Sequence, residues 1–164
     1  MRHLGHRGYT FLELLVVLAI VGAVALLVLP QAGKGLDALR LKTTTRQLAS
    51  VFRYARILAI SERTVSVVGL DLSRDEYWVG IVAPGWAREE VQTRYALPAS
   101  VRLAAQPLGE GTSRERGVVR FVFFPRGGAW GGQVWIEGAK GRRYSILVDP
   151  LTGLVRISDG AARS

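Results

Sequence analysis

The chain has no cysteine, and its only histidines, His3 and His6, fall within the first eight of its 164 residues. The missing cysteines exclude a disulfide framework and any thiolate metal site. Beyond residue 8 there is no histidine either, which removes Ser-His-Asp and Cys-His nucleophile arrangements and the usual zinc ligand sets from the rest of the chain. No phosphate-binding or dinucleotide-binding glycine pattern occurs. The run Gly127-Gly128-Ala129-Trp130-Gly131-Gly132 has the glycines but no lysine, and reads as a hairpin loop. Glu89 and Glu90 are adjacent, so on a strand they point to opposite faces and cannot act as a pair. No catalytic constellation is legible, and the expectation is a non-enzyme without a cofactor or metal.

Charge is plentiful overall but absent from one place. Lys and Arg outnumber Asp and Glu by 22 to 13, a formal charge of +9, yet no charged residue lies between Leu14 and Gly33. A helix over 9–30 would be roughly 33 Å long, close to the ~30 Å hydrocarbon core of a bilayer. Arg2 and Arg7 precede the run, and positive charge before a first span favours a cytoplasmic start.

Three readings fit this segment. A secretory signal peptide has such a basic start and apolar run, and Ala23-Val24-Ala25 offers a small-x-small cleavage site. A plain membrane anchor is the second. The third is a leader cut before the run, so that the run survives as an assembly helix. Glu13 separates them. A carboxylate at the head of an apolar helix is costly in lipid, and neither a signal peptide nor an anchor gains from it. A filament subunit does, because a packed neighbour can offer a cation.

Gly8, then Tyr9-Thr10-Phe11-Leu12-Glu13, then Leu14-Leu15-Val16-Val17-Leu18-Ala19-Ile20, closely resembles the processing signal of type IV prepilins and type II secretion pseudopilins. The resemblance implies cleavage between Gly8 and Tyr9 by a dedicated prepilin peptidase, N-methylation of Tyr9 by the same enzyme, and pairing of Glu13 with the N-terminal amine of a neighbouring subunit. Most members of that family carry Phe where this chain has Tyr9; the ring is kept.

Past Pro30 the pattern changes. Leu41, Leu48, Val51, Phe52, Ala55, Leu58 and Ala59 recur at helical spacing, with Arg40, Arg46, Arg53 and Arg56 on other faces. This predicts an amphipathic helix over about 35–62, with a kink or loosening at Pro30. From Thr64 onward, eight short strands are expected over 64–72, 77–83, 91–97, 101–103, 118–124, 133–137, 142–148 and 154–157, with a mobile loop at 108–117. The expected organisation is a leader (1–8), an apolar helix (9–30), an amphipathic helical segment (31–63) and a β-rich domain (64–164). The fold class is α+β, a long helix packed on a mainly antiparallel sheet.

The last third carries further motifs: Gly117-Val118-Val119-Arg120-Phe121, Phe124-Pro125-Arg126-Gly127-Gly128, Gly132-Gln133-Val134, and Val148-Asp149-Pro150-Leu151-Thr152-Gly153-Leu154-Val155-Arg156-Ile157. Together they resemble the C-terminal domain of the H-type minor pseudopilins, which FimT-type minor pilins share. Residues 70–108 carry none of this resemblance. Near the end only Asp149 and Asp159 could serve a hard cation, fewer oxygen ligands than such sites usually take. That favours a minor subunit over a calcium-binding major one.

The resemblance implies a single-pass inner-membrane protein with a periplasmic domain. Its partners would be other pseudopilins, the prepilin peptidase and a secreted substrate. The work would be structural, at or near the tip of the secretion pseudopilus. The competing reading is a FimT-type minor pilin that binds DNA for uptake, which needs a basic patch on phosphates. Loss of residues 1–8 lowers the formal charge only from +9 to +7. Arg142, Arg143 and Arg156, with Lys140 and Arg163, cluster late in the sequence; Arg114, Arg116, Arg120 and Arg126 precede them. Trp130 and Trp135 could stack on bases.

Overall fold

The computed structural model describes residues 10–83, 89–107, 114–139 and 141–160, the side chains of 25–35 excepted. One helix, α1 (Phe11–Ser61), precedes nine strands: β1 (Val65–Asp71), β2 (Glu76–Val82), β3 (Glu89–Ala96), β4 (Val101–Pro107), β5 (Val118–Phe123), β6 (Ala129–Trp130), β7 (Gly132–Gly138), β8 (Arg143–Val148) and β9 (Val155–Asp159). The chain divides into two compact units, 1–36 and 37–164.

In the first unit the described side chains, 11–24, are exposed along their whole length, Phe11 at 81% and Leu18 at 69%. The backbone stays helical through Pro30. A proline at that position withdraws one i→i−4 hydrogen bond from the ladder.

In the second unit, residues 37–61 of α1 present Leu41, Leu48, Val51, Phe52, Ala55 and Ala59 to the core. These recur at spacings of three, four and seven, which is one face of a helix. They meet the inner faces of two antiparallel sheets. The first runs β3-β2-β1-β5-β6 and the second β4-β7-β8-β9. Phe52 inserts edge-on against Phe121 of β5 (centroids 5.1 Å apart, planes at 81°), a favoured aromatic geometry. Buried Ser66 of β1 donates its hydroxyl to the Ala55 carbonyl oxygen at 2.6 Å, so the helix and the central strand are also tied by a polar contact.

The eight expected strands are present, with ends shifted by one or two residues except at β4. It was expected over 101–103 and extends to Pro107 because its register with β7 continues from Val101↔Gly138 to Pro107↔Gly132. The unforeseen element is β6, two residues inside the glycine-rich hairpin, paired with Val122 and Phe123. Two residues leave no alternation to read. Of the loop expected at 108–117, residues 108–113 lie outside the described residues; Arg114 forms a bridge with Ala105.

On the outer face of the first sheet, the Trp78 indole lies across Gly69, in the space a Cβ would occupy. Arg94 stacks over the indole at 5.0 Å. Glu89 accepts from Trp78 Nε1 and, at 3.0 Å, from Arg120 Nε. This group covers one part of the outer face; Val67, Val82 and Val122 form a small buried apolar cluster with Val65 and Phe124 packed against it.

Candidate functional site

The helix that carries Glu13 begins at Thr10. The Thr10 carbonyl oxygen accepts from the backbone N–H of Glu13 (3.0 Å) and Leu14 (3.2 Å), and its Oγ1 accepts from the Glu13 N–H at 3.2 Å. Thr10-Phe11-Leu12-Glu13 thus has capping-box spacing, with Thr10 as N-cap. The signal is legible in the sequence as Thr-x-x-Glu ahead of an apolar run, and Thr10 is a capping residue that the processing motif does not single out. Glu13 lies in the first turn, where backbone N–H groups leave partial positive charge that favours a carboxylate. Among the described residues its carboxylate forms no ion pair. Gly8 and Tyr9 lie outside the described residues.

Around Glu13 the helix offers only apolar side chains to its surroundings. Leu12, Leu14, Leu15, Val16, Val17, Leu18, Ile20 and Val21 are each half or more exposed. A face so apolar on all sides is matched by lipid or by other apolar helices, not by water. Among the described residues no helix is long and apolar enough to cross a membrane. The described side chains of the run stop at residue 24, so the expected 9–30 span lies partly outside the described residues.

The late arginines do not gather. Arg142 is exposed just before β8. Arg143 opens β8 and donates from Nη2 to Glu137 of β7 at 2.7 Å. Arg156 lies opposite Leu147, four residues further along β8, or about 13 Å in the strand direction. Arg120 is held by Glu89. Lys140 and Arg163 lie outside the described residues. The two tryptophans sit on different sheets, Trp130 on β6 and Trp135 on β7. Trp135 lines a cleft of about 300 Å³ together with Arg102, Arg116, Arg143, Glu115, Glu137 and Asp75, where three guanidiniums meet three carboxylates. Such a lining is balanced in charge rather than phosphate-seeking.

The two turns that carry the C-terminal motifs converge on α1. Arg56 donates from Nε to the Thr152 carbonyl oxygen at 2.9 Å. Asp149 Oδ1 accepts from Leu151 N (3.0 Å), Thr152 N (2.9 Å) and Thr152 Oγ1 (3.0 Å), so its carboxylate organises the 149–153 turn. These hydrogen bonds, first of all the Thr152 backbone N–H, hold the Asp149 carboxyl below the usual aspartate range. Gly153 adopts φ 63°, and a Cβ there would lie 2.5 Å from the Gly127 carbonyl oxygen. Gly127, at φ 92°, sits in turn against Arg56 and Ile60. The glycines are required where the two turns and the helix pass each other. Asp159, the other late carboxylate, ends β9 opposite Tyr144.

Residues 44–152 match the family model described as Type II transport protein GspH, and residues 4–29 match the prokaryotic N-terminal methylation motif. The type II secretion system protein H of Xanthomonas campestris pv. campestris is 28% identical over 151 residues, covering 92% of this chain and 82% of that protein. Among solved structures, the minor pseudopilin EpsH from the type 2 secretion system of Vibrio cholerae aligns with a TM-score of 0.59 at 11% identity, over 73% of this chain and 97% of that one. The type IV minor pilin FimU of Pseudomonas aeruginosa aligns with a TM-score of 0.54 at 13% identity, over 74% of this chain and 90% of that one. At these identities the two structures share the fold: a helix packed on antiparallel sheets.

Proposed function

This chain belongs to the Type II transport protein GspH family, and on that premise we propose that it works as a minor pseudopilin, a structural subunit at or near the tip of the type II secretion pseudopilus that helps move folded proteins across the outer membrane. The observation that carries this reading is the joint occurrence, in one chain, of the GspH match at 44–152 and the methylation motif at 4–29.

In this reading residues 1–8 are a leader. The prepilin peptidase cuts after Gly8 and methylates Tyr9. The apolar segment 9–30 holds the subunit in the inner membrane, N-terminus first in the cytoplasm, and then passes into the filament core. There Glu13 neutralises the methylated amine of a neighbouring pseudopilin. Segment 31–63 links that core to the periplasmic β-rich domain, 64–164, which sits at the filament periphery within reach of a secreted substrate. The role is structural rather than catalytic.

The test is secretion. Deletion of the gene should leave exoproteins in the periplasm, and the full chain should restore their release. Normal secretion by the deletion strain, with DNA uptake lost instead, would favour the FimT-type reading. That reading also requires the 37–164 domain to bind duplex DNA with a steep salt dependence that substitution of Arg142, Arg143 or Arg156 weakens. The separation of Arg156 from Arg143, and the Glu137 partner of Arg143, weigh against it.

A further inference from the structure

The cleft on the outer face of the second sheet holds charges that have not paired. Of its three guanidiniums and three carboxylates, one pair is made, Arg143 Nη2 with Glu137 at 2.7 Å. Arg102, Arg116, Glu115 and Asp75 line the same cleft and form no ion pair among the described residues. On the first sheet the comparable groups are matched, Arg94 with Glu76 at 3.1 Å and Arg120 with Glu89 at 3.0 Å. Trp135 stands among the unmatched groups. Its neighbours on β7, Val134 and Ile136, are fully buried in the core, so strand alternation turns the indole to the outer face.

The wall opposite β7 is fastened at both ends. Arg114 exchanges two backbone hydrogen bonds with Ala105 of β4, at 2.9 and 2.6 Å. Gly117 donates its N–H to Ser73 Oγ and accepts from the Leu72 N–H, each at 2.9 Å. Between these anchors lie Glu115 and Arg116. At about 300 Å³ the cleft is at the lower end of the size of small-ligand sites, and a wall already pinned needs little ordering on binding.

This lining separates ligand classes. A polyanion or a polycation gains no net attraction from equal numbers of guanidiniums and carboxylates, and meets like charge at half of them. An extended peptide would add itself to a free strand edge, but Arg114 already occupies the edge of β4 at Ala105. A neutral saccharide suits both kinds of group at once. Its hydroxyls donate to carboxylates and accept from guanidiniums, and the C–H face of a sugar ring packs on an indole.

We propose that this cleft is a binding site for a short stretch of neutral saccharide, with Trp135 as its platform and Arg102, Arg116, Glu115 and Asp75 as its hydroxyl partners. The site stands apart from the pseudopilin reading and does not depend on it. N-acetylated cell-wall glycan and glucose-type polysaccharide share the chemistry it recognises.

The experiment is equilibrium dialysis of the full chain, held in a detergent without a sugar headgroup, against labelled chitotetraose and labelled cellotetraose. The expected result is saturable binding of at least one, unchanged by added salt because the ligand is uncharged; preference for chitotetraose assigns the N-acetylated source, and preference for cellotetraose the glucose-type one. Trp135→Ala should weaken binding by about tenfold or more, and Trp135→Phe, which keeps a ring, by less. Arg102→Gln and Glu115→Gln change exposed side chains and leave the fold intact, so they carry the test even where Trp135→Ala does not fold. Each should weaken binding about five- to tenfold. Failure of both saccharides to bind, binding unchanged in Arg102→Gln and Glu115→Gln, or displacement of the sugar by polyaspartate or inorganic phosphate overturns the proposal.

Discussion

Arg56 and Thr152 are 96 residues apart and joined by one hydrogen bond, from the guanidinium Nε to the carbonyl oxygen at 2.9 Å. It joins α1 to the C-terminal turn, and a Cβ at Gly153 would lie 3.2 Å from the same side chain. Arg56→Ala should destabilise the 37–164 domain by about 1 kcal/mol, less than the roughly 1.5–3 kcal/mol of a buried charged donor because the group is partly exposed. Arg56→Lys should recover little, since an ammonium lacks the planar donor fork. Gly153→Ala should cost more, about 1–3 kcal/mol, because its φ is left-handed and the added methyl meets the Gly127 carbonyl. Urea unfolding of the three variants beside the parent ranks them.

Asp149 makes the same turn sensitive to acid. Its carboxyl titrates below the ordinary aspartate range because the charged form accepts the Thr152 and Leu151 donors. With the folded value depressed, its contribution is fully present above the unfolded aspartate value of about 4 and is lost as pH falls through the folded one. The parent should therefore be more stable than Asp149→Asn at neutral pH, and the gap should close below about pH 4. Paired denaturation curves at pH 7 and below pH 4 check this; a gap independent of pH would assign the turn's stability to something other than the carboxylate.

Tyr77 gives the opposite limb. Burial in the main core, and then the neighbouring Tyr95 phenol stacked at 5.0 Å, push its phenol up to about 12. A raised folded value means its contribution is whole below about pH 10 and lost as pH rises toward 12. Tyr77→Phe should lessen the alkaline destabilisation between those values, read by circular dichroism across a pH titration.

Much of this fold was legible because its signals are local and periodic. Leu41, Leu48, Phe52 and Ala55 announce one helix face by spacing alone, and the longer strands read as apolar-containing runs bounded by turn residues. What was not legible is what depends on the partner across space. Glu89 reads in sequence as half of an idle acidic pair; only the pairing of β2 with β3 brings it onto Trp78 and Arg120. Arg142, Arg143 and Arg156 look like one cluster because the sequence is short between them. The antiparallel β8–β9 hairpin carries Arg156 back only as far as Leu147, so the cluster opens out. At the N-terminus the Gly8–Glu13 spacing falls within the matched methylation motif, whose pattern does not single out the Thr10 cap.

That cap lets the place of Glu13 at the helix start be separated from the assembly charge proposed for it. Glu13→Gln keeps a side chain able to serve the first turn but removes the carboxylate charge. Thr10→Val keeps the charge but removes the Oγ1 acceptor of the Glu13 N–H. Loss of an N-cap hydroxyl costs about 1 kcal/mol of helix stability, spread over a helix that lipid or neighbouring helices would also support. The Thr10→Val subunit should therefore still be cleaved after Gly8 and still enter the filament, with at most a modest loss. Glu13→Gln and Glu13→Ala should be cleaved and methylated at Tyr9 but should fail to assemble, remaining in the membrane fraction. Mass spectrometry of the membrane-extracted chain reads the first step, and recovery of sheared filaments reads the second. Assembly of Glu13→Gln at the parent's level would remove the amine pairing and leave Glu13 as a helix-start residue. A mature terminus at Leu26 would instead restore the signal-peptide reading of the apolar run.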